Sequence, residues 1–153
     1  MKMYLALLAL AAPSAAWAAD SVSLTSEVLV EHVKPQADGS SKVVREEPSV
    51  VTPGDNLVFL LSYRNGGAQP ATGFVVTNPI PASVAFTGGE SDGAIVSIDG
   101  GKSWGPLASL KVANADGSMR AATPDDVTHI RWSFAQPIAA GRAGQLSFRG
   151  VVK

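Results

Sequence analysis

The chain has no cysteine among its 153 residues, which excludes both a disulfide framework and a lipid-modified cysteine anchor. Stability has to come from an apolar core. Histidine is nearly as scarce: His32 and His129 stand alone, without the paired spacing a zinc site requires, and neither a metal nor a cofactor is expected. Charge is sparse and balanced, with 12 basic against 13 acidic side chains. No basic run exists that would neutralise phosphates, so nucleic acid is not an expected partner. Sustained helical periodicity is missing from the chain beyond its N-terminal region. No apolar run there approaches the roughly 20 residues that cross a bilayer.

What is there begins with Lys2, a Leu- and Ala-rich run over Met3–Ala12, and the small-residue tail Pro13-Ser-Ala-Ala-Trp-Ala-Ala19. This is the pattern of a secretory signal peptide, with the small-x-small site Ala16-Trp17-Ala18 placing cleavage after Ala18. Residues 19–153, about 135 in number, are then expected to form one exported domain, periplasmic or extracellular, with no transmembrane segment. A domain of that size buries about two-thirds of its unfolded surface. The end of the chain, Leu146–Lys153, reads as a last strand rather than an anchor.

The strongest secondary-structure signal is Val51–Gly67. Leu57, Phe59, Leu61 and Tyr63 alternate onto one face, and Val58, Leu60, Ser62 and Arg64 fall on the other, becoming more polar along the chain. This predicts a strand with one buried face. Thr52-Pro53-Gly54-Asp55 suits a type II turn before it, and Asn65-Gly66 marks its exit.

The rest follows the same grammar. A long first strand is expected over Val22–Val33, with a bulge near Ser26, and Lys42–Glu47 reads as a short charged edge strand. Ala71–Asn78 is β-branched and ends at Pro79. Val84–Phe86 is brief. Ala94–Ile98, the turn Asp99-Gly-Gly101 and Lys102–Trp104 predict a hairpin. Leu110–Val112, Val127–Phe134 and Gln145–Val152 supply further strands, and Thr123-Pro-Asp-Asp126 suits a single helical turn capped by Thr123. Trp132 and Phe134 share a core face, with Arg131 and Ser133 outside. Seven to nine short strands separated by Gly, Pro and Asn turns indicate an all-β antiparallel sandwich.

Two pieces, Val51–Gly67 and Ala71–Ala82, together resemble the bacterial surface-repeat family called domain of unknown function eleven. The family's run is a Pro-Gly-Asp turn, a strand ending in Tyr-x-Asn-x-Gly, and a strand leading into Asp-x-x-Pro; here Asn78 replaces the Asp before Pro79. Ser97–Trp104, Ile130-Arg-Trp132 and the segment from Ala140-Gly141 to Phe148 are similar to its second half, so the likeness covers roughly Val43 to Lys153. It implies an immunoglobulin-like domain of exported bacterial proteins, commonly repeated in large surface chains. One copy, without a wall anchor, is expected here.

Ser97-Ile-Asp-Gly-Gly-Lys-Ser-Trp104 also matches the Ser-x-Asp-x-Gly-x-x-Trp pattern of the Asp-box hairpin of sialidases, a folding motif away from the active site. Asp99 is expected to accept N–H groups across the turn, Gly101 to take a positive φ, and Trp104 to pack into the core. The same residues hold Gly101-Lys-Ser-Trp-Gly105, a formal Gly-x-Ser-x-Gly elbow followed by Asp125, Asp126 and His129, but an elbow needs a strand before it and a helix after it. No catalytic residue is assigned. Asp125-Asp126 suits a turn better than a calcium site.

The expected function is therefore an exported, non-enzymatic cell-envelope or secreted module, structural or adhesive, whose partners are envelope or surface proteins bound through strand edges or loops. A glycan-binding module would instead need Trp104 and Trp132 exposed. A hydrolase comes third.

Overall fold

Pro53 and Gly54 turn the chain into its central strand. Gly54 has φ +96°, Asp55 N–H donates to the Thr52 carbonyl at 3.0 Å, and the Asp55 carboxylate accepts from Thr52 N–H at 2.7 Å. The strand that follows, β3 (Asn56–Asn65), organises a computed structural model describing residues 22–89 and 91–153. The expected leader and the cleavage position Ala18 lie outside the described residues.

Among these the chain forms ten strands and no α-helix. The others are β1 (Val22–Pro35), β2 (Ser41–Glu46), β4 (Val75–Pro79), β5 (Val84–Gly89), β6 (Ile95–Ser97), β7 (Lys111–Ala113), β8 (Met119–Ala121), β9 (His129–Ser133) and β10 (Ala143–Val152). The five-stranded sheet β2-β1-β3-β10-β5 faces the three-stranded sheet β4-β9-β6, and β7-β8 is a separate hairpin. All pairings are antiparallel, giving an all-β sandwich. The count passes the expected seven to nine, and β8 is the strand with no expected counterpart.

The core lies between the two sheets. Leu57, Phe59 and Leu61 face inward as the alternation requires, with Leu146 and Phe148 beside them and Val76, Val96, Ile130 and Trp132 opposite. Phe59 and Phe148 are directly paired across the ladder and stack at 4.4 Å, and Trp132 lies 6.3 Å from Phe148. Burying each such ring contributes about 2–3 kcal/mol. At one end Tyr63, Phe74 and Phe134 close a half-buried aromatic cluster, the Tyr63–Phe134 edge contact being 5.0 Å between centroids. Two glycines in β10 leave room for this packing: a Cβ on Gly144 would fall 2.2 Å from the Tyr63 hydroxyl, and one on Gly150 would fall 2.3 Å from Val84 Cγ1.

Several expectations are corrected. β1 carries no bulge near Ser26, because its register against β3 runs unbroken from Val22↔Asn65 to Glu31↔Asn56. Leu24, Ser26, Val28 and Val30 stay in phase, and Leu24 is 44% exposed where the strand runs past the core. The irregularity is in the β5–β10 pairing, where Arg149↔Gly88 is followed by Gly150↔Phe86 and Thr87 of β5 is the extra residue. β3 is not one-faced in its middle, since Val58 on the outer side is fully buried. Its register neighbours are Leu29 and Arg149, and Arg149 is itself paired with Glu31 on that face. The Ala94–Trp104 hairpin is reduced to the bridge Val96↔Gly105, and the ladder partner of β6 is β9. The return arm is wound into a turn by Asp99.

Candidate functional site

Ser97, Asp99, Ser103, Trp104 and His129 meet on the outer face of the three-stranded sheet, whereas His32 and Asp126 lie elsewhere. The Ser97 hydroxyl is fully buried; it donates to Asp99 Oδ1 at 2.7 Å and accepts from Gly101 N–H at 2.9 Å. Asp99 Oδ1 also accepts from Lys102 N–H at 3.0 Å and Ser103 N–H at 2.9 Å, and Oδ2 accepts from the Ser103 hydroxyl at 2.6 Å. These donors favour the charged form: the Ser103 hydroxyl first, then Ser103 N–H and the Ser97 hydroxyl hold the Asp99 carboxyl well below the usual carboxylate range. Gly101, at φ +89°, lets the loop close around the carboxylate. A five-residue turn is thus built around one anion.

Trp104 corrects an assignment. It does not enter the core; it lies half-buried on the outer face, its indole N–H donating to the Gly101 carbonyl at 3.0 Å. Residues 129, 131 and 133 of β9 point outward while Ile130 and Trp132 fill the inside, so Arg131 and His129 meet Trp104 there. The Arg131 guanidinium carbon is 3.7 Å from the indole ring centroid, its Nε donates to Thr77 Oγ1 at 3.0 Å, and the His129 ring meets the indole edge-on at 6.3 Å. Trp104 is outside because the Asp99 turn folds back over the sheet it leaves.

The Gly-x-Ser-x-Gly match sits in this turn and not in a strand-to-helix elbow. Ser103 is held by Asp99, while His129 Nδ1 lies 3.1 Å from the Thr128 hydroxyl. Asp126, in the 3₁₀ turn Pro124–Asp126, is drawn well below its ordinary range by Arg120, whose two terminal nitrogens each donate at 2.7 Å, and then by the Thr123 N–H and hydroxyl. It holds a turn. His32 is exposed on β1, and no three metal-ligating side chains gather among the described residues.

Of the other assigned turn residues, Gly66 does not take a positive φ. The loop after β3 is shaped by Asn65 instead. Its buried side chain donates from Nδ2 to the Gln69 and Ile138 carbonyls, both at 2.8 Å, and accepts from Gly67 N–H at 2.9 Å. Its backbone joins Arg142 and Gly141. Of the assigned core residues, Leu57, Phe59, Leu61 and Trp132 are buried, and Tyr63 and Phe134 are half-buried.

Lys42–Glu47 is an edge strand as expected, β2 bordering the large sheet, and two features beside it were not expected. On the outer face of the large sheet, Glu31 accepts from Arg149 at 2.7 Å and from Arg45 at 3.1 Å. Arg149 first, then Arg45, lower its pKa against the cost of burial. At the far edge, Val33 and Val43 are opposite each other and 67% and 53% exposed. No family model matches this chain, and neither the curated proteins nor the solved structures include a match to it.

Proposed function

We propose that this is an exported, non-enzymatic β-sandwich module of the cell envelope, periplasmic or extracellular, with a structural or adhesive role exercised through a strand edge. The observation that carries this reading is the β2 border of the large sheet, where, among the described residues, a backbone ladder open on one side runs beside exposed Val33 and Val43. An extended segment can add to such an edge by main-chain hydrogen bonds, with its side chains falling alternately on the two faces. The polar groups that suggest catalysis are engaged in holding turns: Ser97, Asp99 and Ser103 with one another, Asp126 with Arg120 and Thr123.

A glycan-binding reading is weaker. Trp132 is buried, and the accessible Trp104 has Arg131 stacked over its ring. Fractionation of the native cells followed by cross-linking and mass spectrometry tests the proposal. The chain is expected in an exported fraction, linked to envelope proteins; recovery in the cytoplasm, or ester hydrolysis that Ser103→Ala abolishes, refutes it.

A further inference from the structure

The β2 edge has a charge pattern that selects its partner, and we infer that it pairs antiparallel with the β2 edge of a second copy of this chain, centred on Val44. The inference rests on the strand-edge reading above and names the partner. The other borders of the sandwich are closed or broken. β5 packs against the Pro124–Asp126 turn, β6 is bridged on its outer side to Gly105 at 2.9 and 3.0 Å, and β4 ends in Pro79. β2 is bounded but open: it pairs with β1 over Val30–Pro35 only, with no described strand on its other side.

Charged residues on an edge normally discourage pairing. Here they discriminate among registers. In an antiparallel pair of identical strands related by a two-fold axis, opposed side chains share a face, so the axis must pass through a residue position and not between two. Centring on Lys42, Arg45 or Glu46 sets that residue against itself, a like-charge contact that disfavours pairing. Centring on Val43 makes no opposite-charge pair. Centring on Val44 places Lys42 opposite Glu46 of the second copy, twice by symmetry, with Val43 opposite Arg45 and no like charges opposed. Within one copy Lys42 lies directly opposite Lys34, whose ion-pair partner is Glu46, and Lys42 has no acidic partner among the described residues. The second copy's Glu46 supplies it.

Six residues a side form a small interface, less than the roughly 1,200 Å² of a stable complex, so association on the order of 100 µM is expected. Sedimentation of purified protein from about 10 µM to about 1 mM should show the average mass rising from one chain towards two. Lys42→Glu and Glu46→Lys should each weaken association at least about tenfold, because each sets two like-charge pairs in opposition. An equimolar mixture of the two variants should associate again, since every such contact is then between opposite charges. In this cysteine-free chain, Val44→Cys should give a disulfide-linked dimer under mild oxidation, the opposed Cα atoms being about 4.5–5.5 Å apart, whereas Lys42→Cys should not. A wild-type chain that stays single to about 1 mM, a mixture that does not associate, or cross-linking at Lys42→Cys equal to that at Val44→Cys overturns the inference. These measurements use the purified chain, so failure to find an envelope partner in cells would sink the proposed function and leave the pairing intact.

Discussion

Asn65 is the residue whose removal should cost most for its size. Its side chain makes three hydrogen bonds in a buried position, to Gln69 four residues on, to Ile138 seventy-three residues on, and from Gly67 N–H. The Ile138 carbonyl keeps a second donor, Ala71 N–H at 2.9 Å, so truncation does not orphan it; the Gln69 carbonyl and Gly67 N–H lose their side-chain partner. At about 1 kcal/mol per bond, Asn65→Ala should destabilise by about 3 kcal/mol. In a domain of this size that lowers the melting temperature by about 10 °C.

Asn65→Asp separates hydrogen bonding from packing. It keeps the shape but turns an oxygen towards two carbonyls, so it should be less stable than the alanine variant at pH 7. Burial and those carbonyls raise the new carboxyl's folded pKa above its unfolded value. Its penalty is then full above the folded pKa and is relieved as pH falls through that value towards the unfolded one. Urea unfolding at pH 7 and pH 5 provides the comparison. A loss under about 1 kcal/mol for Asn65→Ala, or an Asn65→Asp variant as stable as Asn65→Ala at pH 7, would show that the clamp does not act as described.

Three further outcomes are expected. Gly150→Ala should destabilise by about 2–3 kcal/mol, since its Cβ would meet both Val84 Cγ1 and, at 3.0 Å, the Ala85 carbonyl, whereas Gly144→Ala meets only the Tyr63 side chain, its hydroxyl and ring, with no backbone atom in the way, and should cost less; thermal melts rank the two. Asp99 and Asp126 titrate lower in the folded protein than in the unfolded chain. Their stabilisation is complete above the unfolded value near pH 4 and is lost as pH falls through the folded values, so melting temperature should drop below about pH 4, and less steeply in an Asp99→Asn, Asp126→Asn double variant. Arg131→Ala should uncover Trp104, raising its acrylamide quenching while Trp132 stays protected, with a stability loss of about 0.5–1 kcal/mol; unchanged quenching would mean that Arg131 does not shield the ring.

Features closed within a few residues were legible in the chain. Thr52–Asp55 and Ser97–Trp104 are turns whose donors and acceptors lie two to four positions apart, and Leu57, Phe59 and Leu61 face inward because a strand alternates regardless of what it pairs with. The tertiary structure decided whatever depends on a distant partner. Val58 is buried because Leu29 and Arg149 arrive beside it; Asn65 is a clamp and not merely a turn because Ile138 comes within 2.8 Å. Trp104, set outside by the Asp99 turn, is covered there by Arg131 because β9 lies beside it. Periodicity records which side of a strand a residue takes, but not which strand lies beside it. The charges of Lys42–Glu47 marked β2 as a border strand, but only its pairing with β1 sets Lys42 against Lys34.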